Sequence, residues 1–243
     1  MIHYHVTPIG GTTVAFSRIM HSKFALVSFA RPDQLNLVLE YCSGFILDNG
    51  AFSAWKRGEQ IDWDDYATWV QKLSHHPGYQ FAILPDVING TEEENDELLQ
   101  QYQLPLGVPV FHQGESLTRL NKLAQLYSTI AISSVEKSIP SVSFDSWISQ
   151  VFQRLTDEQG IPRVKIHGLR MLNPEIFTRY PFASADSSYL GQTCADEGKF
   201  TGSLRPISTE VRGAVLIDRI ESFQSPGRFV PPREEQLDLF GAP

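Results

Sequence analysis

The chain has 243 residues, 42% of them hydrophobic and 20% charged, a balance that suits one globular domain able to bury a core without staples. A formal net charge of −8 excludes a strongly basic, nonspecific nucleic-acid coat, although a local basic patch suffices to hold a polyanion. The two cysteines, Cys42 and Cys194, form no CxxC pair, which excludes a disulfide framework or thiolate zinc site and suits a reducing cytoplasm.

The first residues, MIHYHVTPIGG, carry neither a basic n-region nor an apolar h-region, so no signal peptide is expected. They read as irregular or as a short strand pair. No apolar run approaches the roughly 18 residues of a membrane span, so the expected localisation is cytoplasmic, without a membrane partner. From there a pattern repeats. Phe24–Phe29 reads as a buried strand, and Pro32–Glu40 as an amphipathic helix. Gly44–Leu47 and Asp62–Leu73 repeat the pair, then Phe81–Leu84 and Thr91–Tyr102, whose Thr91 and Glu94 make a capping-box signature. Val108–Phe111 is followed by Ser116–Leu126, Thr129–Ile132 by Phe144–Leu155, and Arg163–Ile166 by the short Pro174–Arg179. Phe182–Ala185 is the last clear strand. Ser187–Arg205, rich in Gly, Ser and Thr, reads as a long loop, either a lid or simply disordered. A helix over Ser208–Phe223 precedes a Pro-rich, charged, extended tail.

Strands alternating with helices imply βαβ units and a parallel sheet, and seven or eight units favour a TIM-like (β/α)8 barrel. Neither GxGxxG nor GxxxxGK[ST] follows any strand, so open nucleotide-binding sheets lack their usual support. The expected organisation is one barrel over residues 1–223 and a tail over 224–243.

Active sites of such barrels gather at the strand C-terminal ends. The residues expected there are Asp48-Asn49-Gly50-Ala51-Phe52-Ser53, Pro85-Asp86, His112-Gln113-Gly114-Glu115, Ser133-Ser134, His167-Gly168-Leu169 and Asp186-Ser187-Ser188. Singly, each has a plain structural reading: an Asp capping a helix, a satisfied core histidine, a turn glycine. Polar groups at six strand ends together cost core stability unless a ligand uses them. Residue types alone do not rank the carboxylates.

The order LDNGAFS, LPDV, VFHQGE, AISS, IHGL, SADSS resembles the tRNA-guanine transglycosylase superfamily, and most closely its short phage and mobile-element members related to DNA deazapurine transglycosylases. The resemblance covers roughly Phe24 to Gln192. It implies a covalent glycosyl–enzyme mechanism without a cofactor or metal. By that resemblance Asp186 is the nucleophile and Asp48 the general acid–base, while Asp86 reads the N–H edge of guanine. Gln113 meets the base carbonyl, Phe52 stacks on the base, and Ser134 sits where the family offers backbone N–H groups. Gly50, His112 and His167 complete the expected substrate-binding set. The zinc-binding cysteines of the tRNA enzymes are absent, so their zinc subdomain is not expected. This shifts the implied substrate from tRNA towards DNA, with guanine exchanged for a 7-deazapurine such as the queuosine precursor preQ0. Exchange on tRNA, a catalytically inactive base-binding module and a glycosidase that only releases the base remain alternatives.

In the tail, Gln236-Leu237-Asp238-Leu239-Phe240 resembles the bacterial sliding-clamp binding motif. It implies that Gln236, Leu237, Leu239 and Phe240 bind the clamp. Docking of the same apolar residues back on the barrel is the alternative.

Overall fold

The computed structural model describes residues 1–134, 144–193 and 208–231. Gln236, Leu237, Leu239 and Phe240, and most of the long loop expected over Ser187–Arg205, lie outside them. The described strands are β1 (Ile2–Thr7), β2 (Phe24–Ser28), β3 (Gly44–Asp48), β4 (Tyr79–Ile83), β5 (Gly107–Val108), β6 (Val110–His112), β7 (Thr129–Ser133), β8 (Lys165–Gly168) and β9 (Ser184–Ser187). The described helices are α1 (Thr13–Met20), α2 (Leu35–Tyr41), α3 (Ala51–Arg57), α4 (Trp63–Leu73), α5 (Glu92–Gln101), α6 (Leu117–Leu126), α7 (Phe144–Leu155), α8 (Pro174–Phe177), α9 (Tyr189–Thr193) and α10 (Thr209–Glu221). None of them is long and apolar enough to cross a membrane.

The strands form one sheet in the order β5-β4-β3-β2-β1-β9-β8-β7-β6, and every neighbouring pair is parallel. The two ends of that order, β5 and β6, are separated in the chain by Pro109 alone. Proline has no N–H to give a ladder, and the pairing changes side around it. Leu84 N–H donates to the Val108 carbonyl, while Ala131 N–H donates to that of Pro109. The sheet is therefore nearly closed into a barrel, with its seam at a proline.

The inside is packed, not hollow. Tyr4, Leu26 and Ile46 fill one part, and Ile83, Val108, Val110 and Ala131 another. Two larger apolar clusters lie between sheet and helices, one around Phe111, Phe152 and Ile166, the other around Phe16, Val27 and Tyr66.

The N-terminus corrects the expectation of irregular chain or a strand pair. β1 is a central strand, bonded in parallel to both β2 and β9. Its outward positions hold polar residues where a buried strand usually carries aliphatics. His5 Nε2 lies 3.1 Å from Glu221 Oε1 on α10, and His3 Nε2 lies 3.1 Å from the Phe223 carbonyl oxygen. α1, absent from the sequence expectation, is capped by the Thr12 hydroxyl, which accepts from Ala15 N–H. β8 and β9 run two residues beyond the expected strands, so His167 and Asp186 belong to strands instead of following them.

From Gln224 to Pro231 the chain has no helix or strand, yet it is held. Phe229 is buried and stacks on Tyr180 at 5.9 Å with an interplanar angle of 17°. Its N–H donates to the Gly160 carbonyl at 2.8 Å. Gly160 has φ +78°, and a Cβ there would stand 2.2 Å from the Phe229 oxygen, so the close approach requires glycine.

Candidate active site

A cavity of about 490 Å³ opens at the C-terminal ends of the strands, within the range of small-molecule sites. Asp48, Asp86, Asp186, His112 and Phe52 line it. Gly50, Gln113, Ser134 and His167 are not among its lining residues.

Asp48 ends β3. Its Oδ2 accepts from the Ser28 hydroxyl at 2.8 Å and from Gly50 N–H at 3.0 Å. Gly50 has φ +80°, and a Cβ would meet Ala30 at 3.0 Å. Glycine thus lets the chain turn sharply enough to cap both Asp48 and α3. Burial pushes the Asp48 carboxyl up to about 6, and the negative charges of Asp186 and Asp86 add to the push against the Ser28 and Gly50 bonds. A carboxyl tuned towards neutral pH can both give and take a proton.

Asp86 is held from two sides. Asn49 Nδ2 donates to its Oδ1 at 2.6 Å, and His112 Nε2 lies 2.8 Å from its Oδ2. Asn49 also donates to the Leu84 carbonyl and accepts from Ala51 N–H, so one amide ties the ends of β3 and β4 together. Burial opposes a charge on His112, but the hydrogen bond and charge of Asp86 outweigh it, and the imidazole is raised above its usual range. Glu115 accepts from His112 N–H at 2.9 Å and from Arg119 at 2.6 Å, which fixes the end of β6.

Asp186 is 2% exposed. His167 Nε2 and the Arg170 N–H each lie 3.2 Å from its Oδ2. His167 Nδ1 lies 2.8 Å from the Ser184 hydroxyl. If that hydroxyl donates, the ring proton sits on Nε2 and points at Asp186. His167 also packs edge-on against Tyr4 and Phe81 inside the barrel.

Gln113 Oε1 accepts from the Ser134 hydroxyl, and Gln113 N–H donates to the Ser133 carbonyl. These two residues brace the ends of β6 and β7. Phe52 lies on α3, a helix absent from the sequence expectation. The guanidinium carbon of Arg170 sits 3.9 Å above its ring, and the Lys56 ammonium 4.5 Å from the ring centre.

Arg170 is the main residue that reading the sequence missed. It adopts φ +60°, a strained conformation for a non-glycine residue. Its backbone bonds Asp186, while its side chain bonds the Ser133 hydroxyl and the Ser134 carbonyl and covers Phe52. One residue thus joins β7, β9 and α3. Its position three residues after His167 was the available signal. Ser28, Asn49, Arg31 and Lys56 are further cavity residues not singled out for a role.

No profile of a known protein family matches the chain, and no curated protein matches it.

Proposed function

We propose that this protein is a transglycosylase that exchanges guanine in DNA for a 7-deazapurine, through a covalent bond between Asp186 and the sugar. The observation that carries the reading is the pairing of two differently held carboxylates in one cavity. Asp186 is fixed by His167 and by a backbone N–H, and Asp48 is tuned to about 6. Environments that separate the roles of two carboxylates are the mark of acid–base and nucleophilic division of labour.

In this mechanism Asp186 attacks C1′, and the bond from C1′ to the base nitrogen breaks. The departing guanine takes a proton from Asp48. The incoming base gives its ring proton to the Asp48 carboxylate. Its nitrogen then attacks C1′, releasing Asp186 with net retention. The Arg170 N–H and His167 Nε2 both meet Oδ2 of Asp186, so Oδ1 is the oxygen we assign to attack. Asp86 reads the base edge with the lone pairs that Asn49 and His112 leave over. Val6, Leu26, Ile83 and Leu169 line the cavity as apolar surface that disfavours water, and water would otherwise hydrolyse the intermediate. In the scaffold, β5 and β6 count as one stave interrupted by Pro109, which makes the barrel (β/α)8. The choice of DNA rests on the missing zinc cysteines and on the clamp-like tail sequence.

Mass spectrometry of nucleosides from DNA and RNA of expressing cells tests the proposal. Deazapurine in DNA that disappears with Asp186→Asn is expected. Deazapurine in RNA alone would move the substrate to tRNA. Free base without exchange would make the protein a glycosidase. Unaltered nucleosides in both pools would leave a base-binding module.

A further inference from the structure

The charges around the cavity are layered. Asp86 and Asp186, at the floor, are 6% and 2% exposed. Arg31 and Lys56 also line the cavity, but both are exposed. Among the described residues Lys56 enters no ion pair, and its ammonium rests 4.5 Å from the centre of the Phe52 ring. Arg31 pairs with Asp33 at 2.9 Å, with the two side chains 59% and 54% exposed. A pair so open to water holds its partners weakly and yields readily to a better anion. Phe52 and Lys56 are four residues apart on α3, so ring and ammonium share one helix face.

From floor to opening, the cavity offers hydrogen-bond acceptors, then the Phe52 ring with Arg170 lying over it, then the exposed cations Lys56 and Arg31. A nucleotide offers a donor-bearing base, then a sugar, then phosphate. A chain of net charge −8 has no general attraction for a polyanion, so a strand needs local cations to stay. We propose that Lys56 and Arg31 form an anion site at the mouth of the cavity that holds the backbone phosphates flanking the reacting nucleotide. The inference rests on the base-exchange reading for its floor and adds which side chains hold the strand beside the reacting nucleotide. The target base must be unstacked to reach the floor.

The test is fluorescence anisotropy of the full chain with a labelled single-stranded oligodeoxynucleotide bearing one guanine, and with its RNA counterpart, across a salt titration. Two phosphate contacts on a single strand give a slope of log K against log salt of about −1.4. Lys56→Gln and Arg31→Gln should each make it shallower by about 0.7, and the double variant should flatten it. Lys72→Gln, an exposed lysine on α4 that does not line the cavity, serves as control and should keep the full slope. The DNA and RNA arms should show equal slopes, because phosphates and not sugars are held. No binding to either strand, or a full slope in a double variant with native circular dichroism, overturns the inference. Base exchange that proceeds as well on free guanosine as on the oligonucleotide does the same. If the slopes change as expected but no exchange occurs, the mouth site stands and the transglycosylase reading falls. If exchange on the strand occurs with slopes untouched by the variants, the mouth site alone falls.

Discussion

The two ends of the barrel hold cavities of nearly equal size, about 490 Å³ at the strand C-terminal ends and about 520 Å³ at their N-terminal ends. Their chemistry differs. The second is lined by Ile2, Tyr4, Phe81, Val108 and Lys165 among others, and among the described residues no carboxylate or histidine lines it. The first gathers Asp48, Asp86, Asp186 and His112 beneath Arg31, Lys56 and Arg170. Volume therefore does not distinguish a site from a packing gap here. The convergence of titratable groups does, because each of them would be costly to bury without a task.

The sharpest way to break this comparison is to remove one ionisable group at each end. Asp186→Asn should lower base exchange by about 10⁴-fold or more and abolish the covalent adduct in denaturing mass spectrometry. Lys165→Ala, at the other end, should leave the exchange rate unchanged. Equal losses would mean that the two ends do not differ in the way described.

Asp48→Asn should cost about 10²–10⁴-fold in exchange, the usual range for general acid–base catalysis. In the intact protein the pH profile should bend near pH 6, where Asp48 changes charge. Stability should move the other way. An aspartate whose folded pKa lies above its unfolded value stabilises the fold fully below the unfolded value, and that contribution is lost as pH rises through about 6. At pH 8 the ionised, partly buried Asp48 is a burden, and the Asp48→Asn substitution would relieve at most about 3 kcal/mol of it. The variant should melt above the parent at pH 8, and the gain should vanish below about pH 4. A variant less stable than the parent at pH 8 would show that Asp48 is not strained by its charge.

Phe229→Ala tests the opposite end for a purely structural role. It should destabilise by about 3 kcal/mol in denaturant unfolding, with exchange by the remaining folded protein retained. The smallest effect is expected at Arg170. Arg170→Gly and Arg170→Ala lose the same side-chain bonds, but only glycine relieves φ +60°. The glycine variant should be the more stable of the two by about 1 kcal/mol in thermal unfolding.

Much of the fold is legible in the sequence from Phe24 onward, because strands buried on both faces are written as apolar runs. β1 is not, since His3, His5 and Thr7 alternate with apolar positions and the first two take partners from the far end of the chain. Val108–Phe111 reads as one strand, and only tertiary pairing reveals that Pro109 divides it between two neighbours. At the site, the aspartates after apolar runs are visible as candidates, and the resemblance supplies their ranking. The parts played by Asn49 and Arg170 are invisible locally. An asparagine bridging two strand ends looks like any turn residue, and a left-handed arginine carries no sequence mark. Phe52 shows the same limit, because nothing nearby in sequence announces that Arg170 covers it.

The seat of Phe229 has a consequence for anything the tail holds. Gly160 and Tyr180 lie in the helix-to-strand connections before β8 and β9, at the end of the barrel opposite the cavity that holds Asp48, Asp86 and Asp186. The chain leaves that seat at Pro231, and five further residues reach Gln236, a leash of at most about 18 Å. A partner gripping Gln236 would be held within that span of Pro231. The anchor of the chain at Phe229 and the cavity that gathers the carboxylates thus draw on opposite ends of one barrel.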